Sequence, residues 1–161
     1  MTQALAGYME QAAEKLRAEG MHCRHVTLFI RTSPFNDKEP YYDNQISTRV
    51  AIPTNDTRVL LALIGPLLSS IWRDGHRYLK GGVMLADFTP DCIQQDDLFT
   101  SEQQGPSSNA LMQVVDKINK EGMGRVYFGT RGRDTSEWMM KRGMLSPRYT
   151  TMINELPIAT V

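Results

Sequence analysis

The sequence predicts an α+β domain: one sheet with helices on one face, followed by a polar tether and a smaller α/β region. Three observations predict it. Apolar residues repeat at helical spacing in residues 2–19 and 56–74. Three stretches alternate with the period of two that marks half-buried strands. The run from Pro90 to Pro106 has neither periodicity and carries an apolar pair, Leu98-Phe99, near its centre.

Taken in order, Thr2 is placed to cap a helix reaching Glu19. Leu5, Met9, Ala12, Ala13 and Leu16 fall on one face, and Gly20 is the stop. His22 to Thr32 alternates as a strand, with Val26, Leu28 and Ile30 on one face and His25, Thr27, Phe29 and Arg31 on the other. Cys23 and His25 are expected to share a face, with His22 pointing away. Pro34, Pro40 and Tyr41-Tyr42 mark a loop from Ser33 to Asn44. Ile46 to Ile52 alternates again, placing Ile46, Val50 and Ile52 inward and Ser47 and Arg49 outward.

Asn55 or Asp56 then caps a second helix through Asp74. Its wide apolar face holds Val59, Leu60, Leu63, Ile64, Leu67, Leu68, Ile71 and Trp72. Pro66 removes a donor and clashes with the carbonyl of Ala62, so a kink is expected there. After Gly75, Arg77 to Phe88 reads as a third strand, weakened by Gly81-Gly82. Beyond the tether, Ser107 or Ser108 caps a third helix with Leu111, Val114, Val115 and Ile118 inward and Gly122 as stop. Val126 to Gly129 reads as a short strand and Asp134 or Thr135 to Gly143 as a last helix, with an extended or turned tail at Leu145 to Thr151. The divisions expected are a domain over residues 1–89, a linker over 90–106 and a small module over 107–161.

Composition narrows the function classes. The 161 residues suffice for one domain with a core, or a domain plus a small module. Eighteen basic residues balance eighteen acidic ones, so any nucleic-acid contact must come from a local patch. Two distant cysteines, Cys23 and Cys92, suggest a reducing compartment, and the first residues lack a signal-peptide pattern. Val59 to Ile71 is too interrupted to span a bilayer, and the expected location is cytoplasmic.

The tether is the most informative stretch. Asp91 to Gln104 holds four acidic residues and no Lys or Arg. Within it, Gln95-Asp96-Asp97-Leu98-Phe99 presents an apolar pair that either folds back on its own domain or fills a pocket on a partner. The spacing Gln-x-x-Leu-Phe resembles the pentapeptide by which bacterial polymerases and repair proteins bind the sliding clamp. Gln95, Leu98 and Phe99 are then the candidate clamp-binding residues. On their own, the five residues leave both readings open.

No cofactor or metal is expected. His22, Cys23 and His25 have no second ligand pair nearby in sequence, and Asp96-Asp97 on a tether lacks octahedral geometry. The glycines at 122, 124, 129 and 132 lack a strand-loop-helix phosphate frame. The informative basic residues are His25, Arg31 and Arg49 on the outer sheet face, with Arg77 or Lys80 from the third strand. Met123 to Thr150 adds six basic against two acidic residues, a patch suited to DNA or an acidic partner and equally to solvent.

Several runs together resemble the UmuC-type polymerase subunits of the Y family: Tyr8 to Arg17, Thr32-Ser33-Pro34-Phe35, Glu39-Pro40-Tyr41-Tyr42, Ile71-Trp72 through Gly75-His76-Arg77-Tyr78, Gly82 to Leu85, and Met139 through Thr151. The similarity covers essentially the whole chain. It implies the C-terminal part of a translesion polymerase acting in the SOS response: a little finger that contacts primer-template phosphates with its sheet, a clamp-binding motif and a small module. DNA and the sliding clamp are the implied partners, and a UmuD-type subunit and the recombinase filament are further ones. The family's palm, with its catalytic carboxylates, has no counterpart in these residues, so catalysis by the chain alone is not expected. The little finger's opening strand has none either, and the expectation is lower stability than a complete domain, or self-association through the incomplete sheet. A free-standing protein that competes for the clamp, or a gene remnant, fits the same residues.

Overall fold

Leu5, Ala6, Met9, Ala13 and Leu16 are the buried positions of α1, Thr2–Ala18, spaced to line one stripe of a 3.6-residue helix. In the computed structural model, which describes residues 1–36, 39–90, 106–121, 124–132 and 146–147, that stripe lies on a three-stranded sheet. Met1 occupies the N-cap of α1 without a side-chain hydrogen bond, so Thr2 opens the helix but does not cap it. Gly20 ends it as expected: at φ 62° its N–H reaches the Arg17 carbonyl at 3.0 Å.

The sheet comprises β1 (Met21–Thr32), β2 (Asp43–Thr54) and β3 (Tyr78–Pro90) in the order β2-β1-β3, antiparallel throughout. Val26, Leu28 and Ile30 of β1 are fully buried against the helices. Gly81 and Gly82 lie inside β3 and are accommodated by packing. Gly82 faces Phe29 across the strands, and a Cβ built on it would lie 2.7 Å from the Phe29 ring. The ring covers backbone that a larger residue would displace.

Near Cys23 the strand alternation breaks. The β1–β2 register shifts between Cys23 and His25, and Asp87 on β3 adopts φ 57°. Cys23 is thereby turned into the core beside Val26, and it does not share a face with His25.

Residues 56–74 form two helices rather than one kinked helix. Asp56 caps α2 (Thr57–Ala62), its carboxylate accepting from the Arg58 N–H at 2.8 Å. Leu63 breaks the path, and α3 runs Ile64–Ile71. Pro66 therefore falls in the first turn of α3, where its missing N–H would have had no helical partner. Trp72 is extended at ψ 136°, ending α3 before Asp74. Leu60, Leu61, Ile64, Leu67, Leu68 and Ile71 join the core, whereas Val59 and Trp72 of the expected apolar face are exposed.

The last long helix, α4, runs Pro106–Glu121 and opens on a proline. Its buried side chain is Met112; of the expected inward stripe, Leu111 and Val114 are exposed while Val115 and Ile118 are half-buried, so the helix is turned from the expected orientation. A charged lock holds it there. Arg17 donates to both Asp116 oxygens at 2.7 Å, and also to the Asn55 carbonyl at 2.7 Å and Thr57 Oγ1 at 2.8 Å. Ser108, rather than capping the helix, donates to the Asp56 carboxylate.

Residues 126–128 form no strand. Their backbone groups are taken by side chains: Asn119 bonds the Val126 N–H and carbonyl at 2.8 and 2.9 Å, and Glu10 accepts from the Phe128 N–H at 3.0 Å. A 3-10 turn, Gly129–Arg131, follows. The expected helix at 134–143 lies outside the described residues, as do Gly122 and all of the tail except Ser146 and Pro147. Among the described residues, no helix is long and apolar enough to cross a membrane.

Candidate nucleic-acid interface

Among the described residues the helices lie on one side of the sheet, and its other face is left to solvent. The register arranges it in four cross-strand rows. At one end lie Arg49, His25 and Ala86, followed by Ser47, Thr27 and Met84. Next come Gln45, Phe29 and Gly82, and the far row is Asp43, Arg31 and Lys80. Strand alternation alone places these side chains together, since each is two residues from the next along its own strand.

The basic residues of this face sit at its two ends, and the far row also carries Asp43 directly opposite Arg31. His25 and Arg49 are direct neighbours at one end, and Arg31 and Lys80 at the other. Six residues at about 3.4 Å each separate the two pairs by about 20 Å. Among the described residues none of these four makes an ion pair. Arg31 stands between Asp43 on one side and Lys80 on the other, and the Arg31–Lys80 half of that row is a like-charge pair that disfavours the free sheet. An anion laid across the face relieves that repulsion. The centre between them is neutral: Thr27 and Ser47 share a hydroxyl hydrogen bond at 2.8 Å, beside Gln45, the Phe29 ring and exposed Met84.

Arg77 stands apart from the other candidates. It lies one residue before β3, in the turn, and its Nε donates to Glu39 Oε1 at 2.6 Å. Gln95, Leu98 and Phe99 lie outside the described residues. Phe29, Gln45 and the Thr27–Ser47 pair were not singled out from sequence as interface residues, although the alternation that located Arg31 points to the same face.

Away from this face, Cys23 and Asp56 are among the groups with shifted ionisation. Burial pushes the Cys23 thiol up to about 11, and its Sγ donates to the Thr54 carbonyl at 3.4 Å. Burial acts to raise Asp56, but hydrogen bonds from Arg58 and Ser108 outweigh it and hold the carboxyl below its ordinary value. Cys23 in the core and His25 on the open face give no convergent ligand set.

Residues 1–98 match the impB/mucB/samB family C-terminal domain, and residues 109–159 match a domain of unknown function, DUF4113. The chain is 48% identical over 159 residues to ImpB and 49% identical over 159 residues to SamB, both of Salmonella typhimurium. It is 45% identical over 157 residues to UmuC of Salmonella typhimurium strain LT2. These alignments cover 97–99% of this chain but 37% of each relative, so the chain spans little more than a third of their length. By the match over residues 1–98, the chain belongs to the impB/mucB/samB family and carries its C-terminal domain.

Proposed function

We propose that this chain serves an error-prone translesion polymerase of the UmuC type as its grip on DNA and its tether to the sliding clamp. The observation that carries the first half is the placement of basic side chains at opposite ends of the open sheet face, Arg49 beside His25 at one and Arg31 beside Lys80 at the other. A span of about 20 Å bridges a major groove about 12 Å wide and reaches the backbone on either side. Arg49 with His25 then meets one backbone and Arg31 with Lys80 the other. The neutral centre of Gln45, Phe29 and the two hydroxyls faces the groove. Contacts of this kind read charge and shape rather than sequence, which suits a polymerase that must hold any primer-template.

The tethering half rests on Gln95, Leu98 and Phe99 and on the family resemblance. Burying Leu98 and Phe99 in an apolar cleft is worth roughly 1.5–3 kcal/mol each, while a micromolar complex needs about 8 kcal/mol. Those two side chains then act as the anchors of the contact. Two weak contacts on one chain reinforce each other through effective concentration, so neither has to be tight. In this reading residues 1–89 grip, 90–106 tether, and 107–161 form a module docked through α4. Nucleotidyl transfer belongs to other parts of the polymerase. Among the described residues β2 and β3 are the edge strands, and a further strand, from another segment or a second copy, would pair at one of them.

The test uses the chain with blunt duplexes of unrelated sequence and with its cognate clamp. Duplexes should bind with similar affinities that fall steeply as salt rises. Clamp binding should be lost on replacing Leu98 and Phe99 by alanine. Strong preference for one duplex sequence, or clamp affinity unchanged in the double variant, contradicts the respective half.

A further inference from the structure

One end of the sheet carries an aromatic and cationic cluster that duplex gripping does not use. Two loops build it, residues 33–42 between β1 and β2 and residues 72–77 between α3 and β3. Arg77 and Glu39 join the loops, and the Tyr42 ring stacks on His76 at 5.1 Å and 25°. Tyr78 meets the Tyr42 ring at 6.1 Å and the Trp72 ring at 4.5 Å. This inner layer is pinned. The Tyr42 hydroxyl donates to the Ile71 carbonyl at 2.7 Å, and the Tyr78 hydroxyl bonds the backbone of Arg73 at 2.9 and 3.0 Å.

The outer layer is open. Phe35 is 91% exposed, Tyr41 54% and Trp72 40%. Two of these rings are held in orientation by a carboxylate two residues on. The Tyr41 hydroxyl donates to Asp43 and the Trp72 indole N–H donates to Asp74, each at 2.9 Å. Solvent-facing rings fixed in this way are preorganised for a partner's face, with little ordering left to pay for on binding. The guanidinium of Arg73 lies 4.7 Å above the Tyr42 ring and makes no ion pair among the described residues. The cluster also runs directly into the cationic end of the open face, because Thr32 pairs with Tyr78 and Arg31 with Lys80.

We propose that this end stacks the unpaired bases of a single strand continuing from the duplex held on the open face. The inference rests on the duplex reading and adds a second DNA subsite to it. Stacking platforms beside uncompensated cations are the chemistry that binds single strands without regard to sequence. Continuity with the Arg31–Lys80 row favours a polyanion over an apolar peptide as the occupant.

The experiment compares a blunt duplex with the same duplex extended by about six unpaired thymidines on either strand, using anisotropy. Emission of Trp72 is followed in a Trp138→Phe background, since the chain has two tryptophans. One extension should bind about tenfold more tightly, in line with the stacking of one base on an aromatic side chain, and should quench Trp72. Phe35→Ala with Tyr41→Ala, two exposed positions outside the core, should remove the preference and leave blunt-duplex affinity unchanged. Equal binding of blunt and extended duplexes, or a preference that survives in the double variant, overturns the proposal. Failure of the blunt duplex to bind defeats the duplex reading instead. In that case quenching of Trp72 by oligothymidine still supports the stacking subsite, and absence of quenching overturns it.

Discussion

Replacing Asp116 by alanine tests the lock that sets α4 in place. The Arg17–Asp116 pair is bidentate at 2.7 Å, with side chains only 10% and 15% exposed. Removing one member of a buried pair costs about 3–5 kcal/mol when the survivor is left uncompensated. Arg17 is not left so, because Asn55 O and Thr57 Oγ1 still accept from it. Alanine also favours the helix by a few tenths of a kcal/mol. The expected loss is therefore about 2–3 kcal/mol, close to one charge-assisted hydrogen bond. Urea unfolding reads the total, and trypsin cleavage at Lys117 and Lys120 should accelerate as α4 leaves its seat. A double-mutant cycle with Arg17→Met should return a coupling of about 1–3 kcal/mol. A loss under 0.5 kcal/mol, or additive single variants, refutes the lock and with it the explanation for the orientation of α4.

Gly82→Ala should destabilise the sheet by about 1–3 kcal/mol, because the new Cβ meets the Phe29 ring at 2.7 Å; combining it with Phe29→Ala should recover part of that loss in thermal unfolding. Asp56, held below its ordinary range in the folded chain, contributes stability that is present above about pH 4 and lost as pH falls through its folded value. The Asp56→Asn variant should therefore show a shallower acid limb in pH-dependent unfolding. Cys23, with its folded pKa raised to about 11, favours folding below its unfolded value, and that contribution is lost between about pH 9 and 11. At pH 7 the native thiol should react with a thiol reagent only after urea unfolds the chain.

Much of the frame was legible because burial and period coincide. Val26, Leu28 and Ile30 alternate and are buried as a set, and the stripe of α1 from Leu5 to Leu16 needed only its spacing to be read. Asp56 showed itself as a cap through its position before an apolar run. The open face followed from the same alternation, which is why His25, Arg31, Arg49 and Lys80 could be placed on it. What escaped was non-local. The β1–β2 register shift between Cys23 and His25 is a feature of strand pairing, and nothing in the local sequence marks it. The orientation of α4 depends on a residue 99 positions distant, so a stripe of Leu111 and Val114 that reads as core faces solvent. Residues 126–128 looked like a strand, but Asn119 and Glu10 took the backbone groups a neighbouring strand needs.

The grip on DNA is tested most directly by the salt dependence of duplex binding. Each phosphate neutralised by a cation steepens the slope of log K against log salt by about 0.9. Arg31→Ala, Arg49→Ala and Lys80→Ala together should therefore weaken binding to every duplex alike and flatten the slope by about 2.7. Unchanged slope and affinity in a folded triple variant would show that duplex DNA lies somewhere other than on this face.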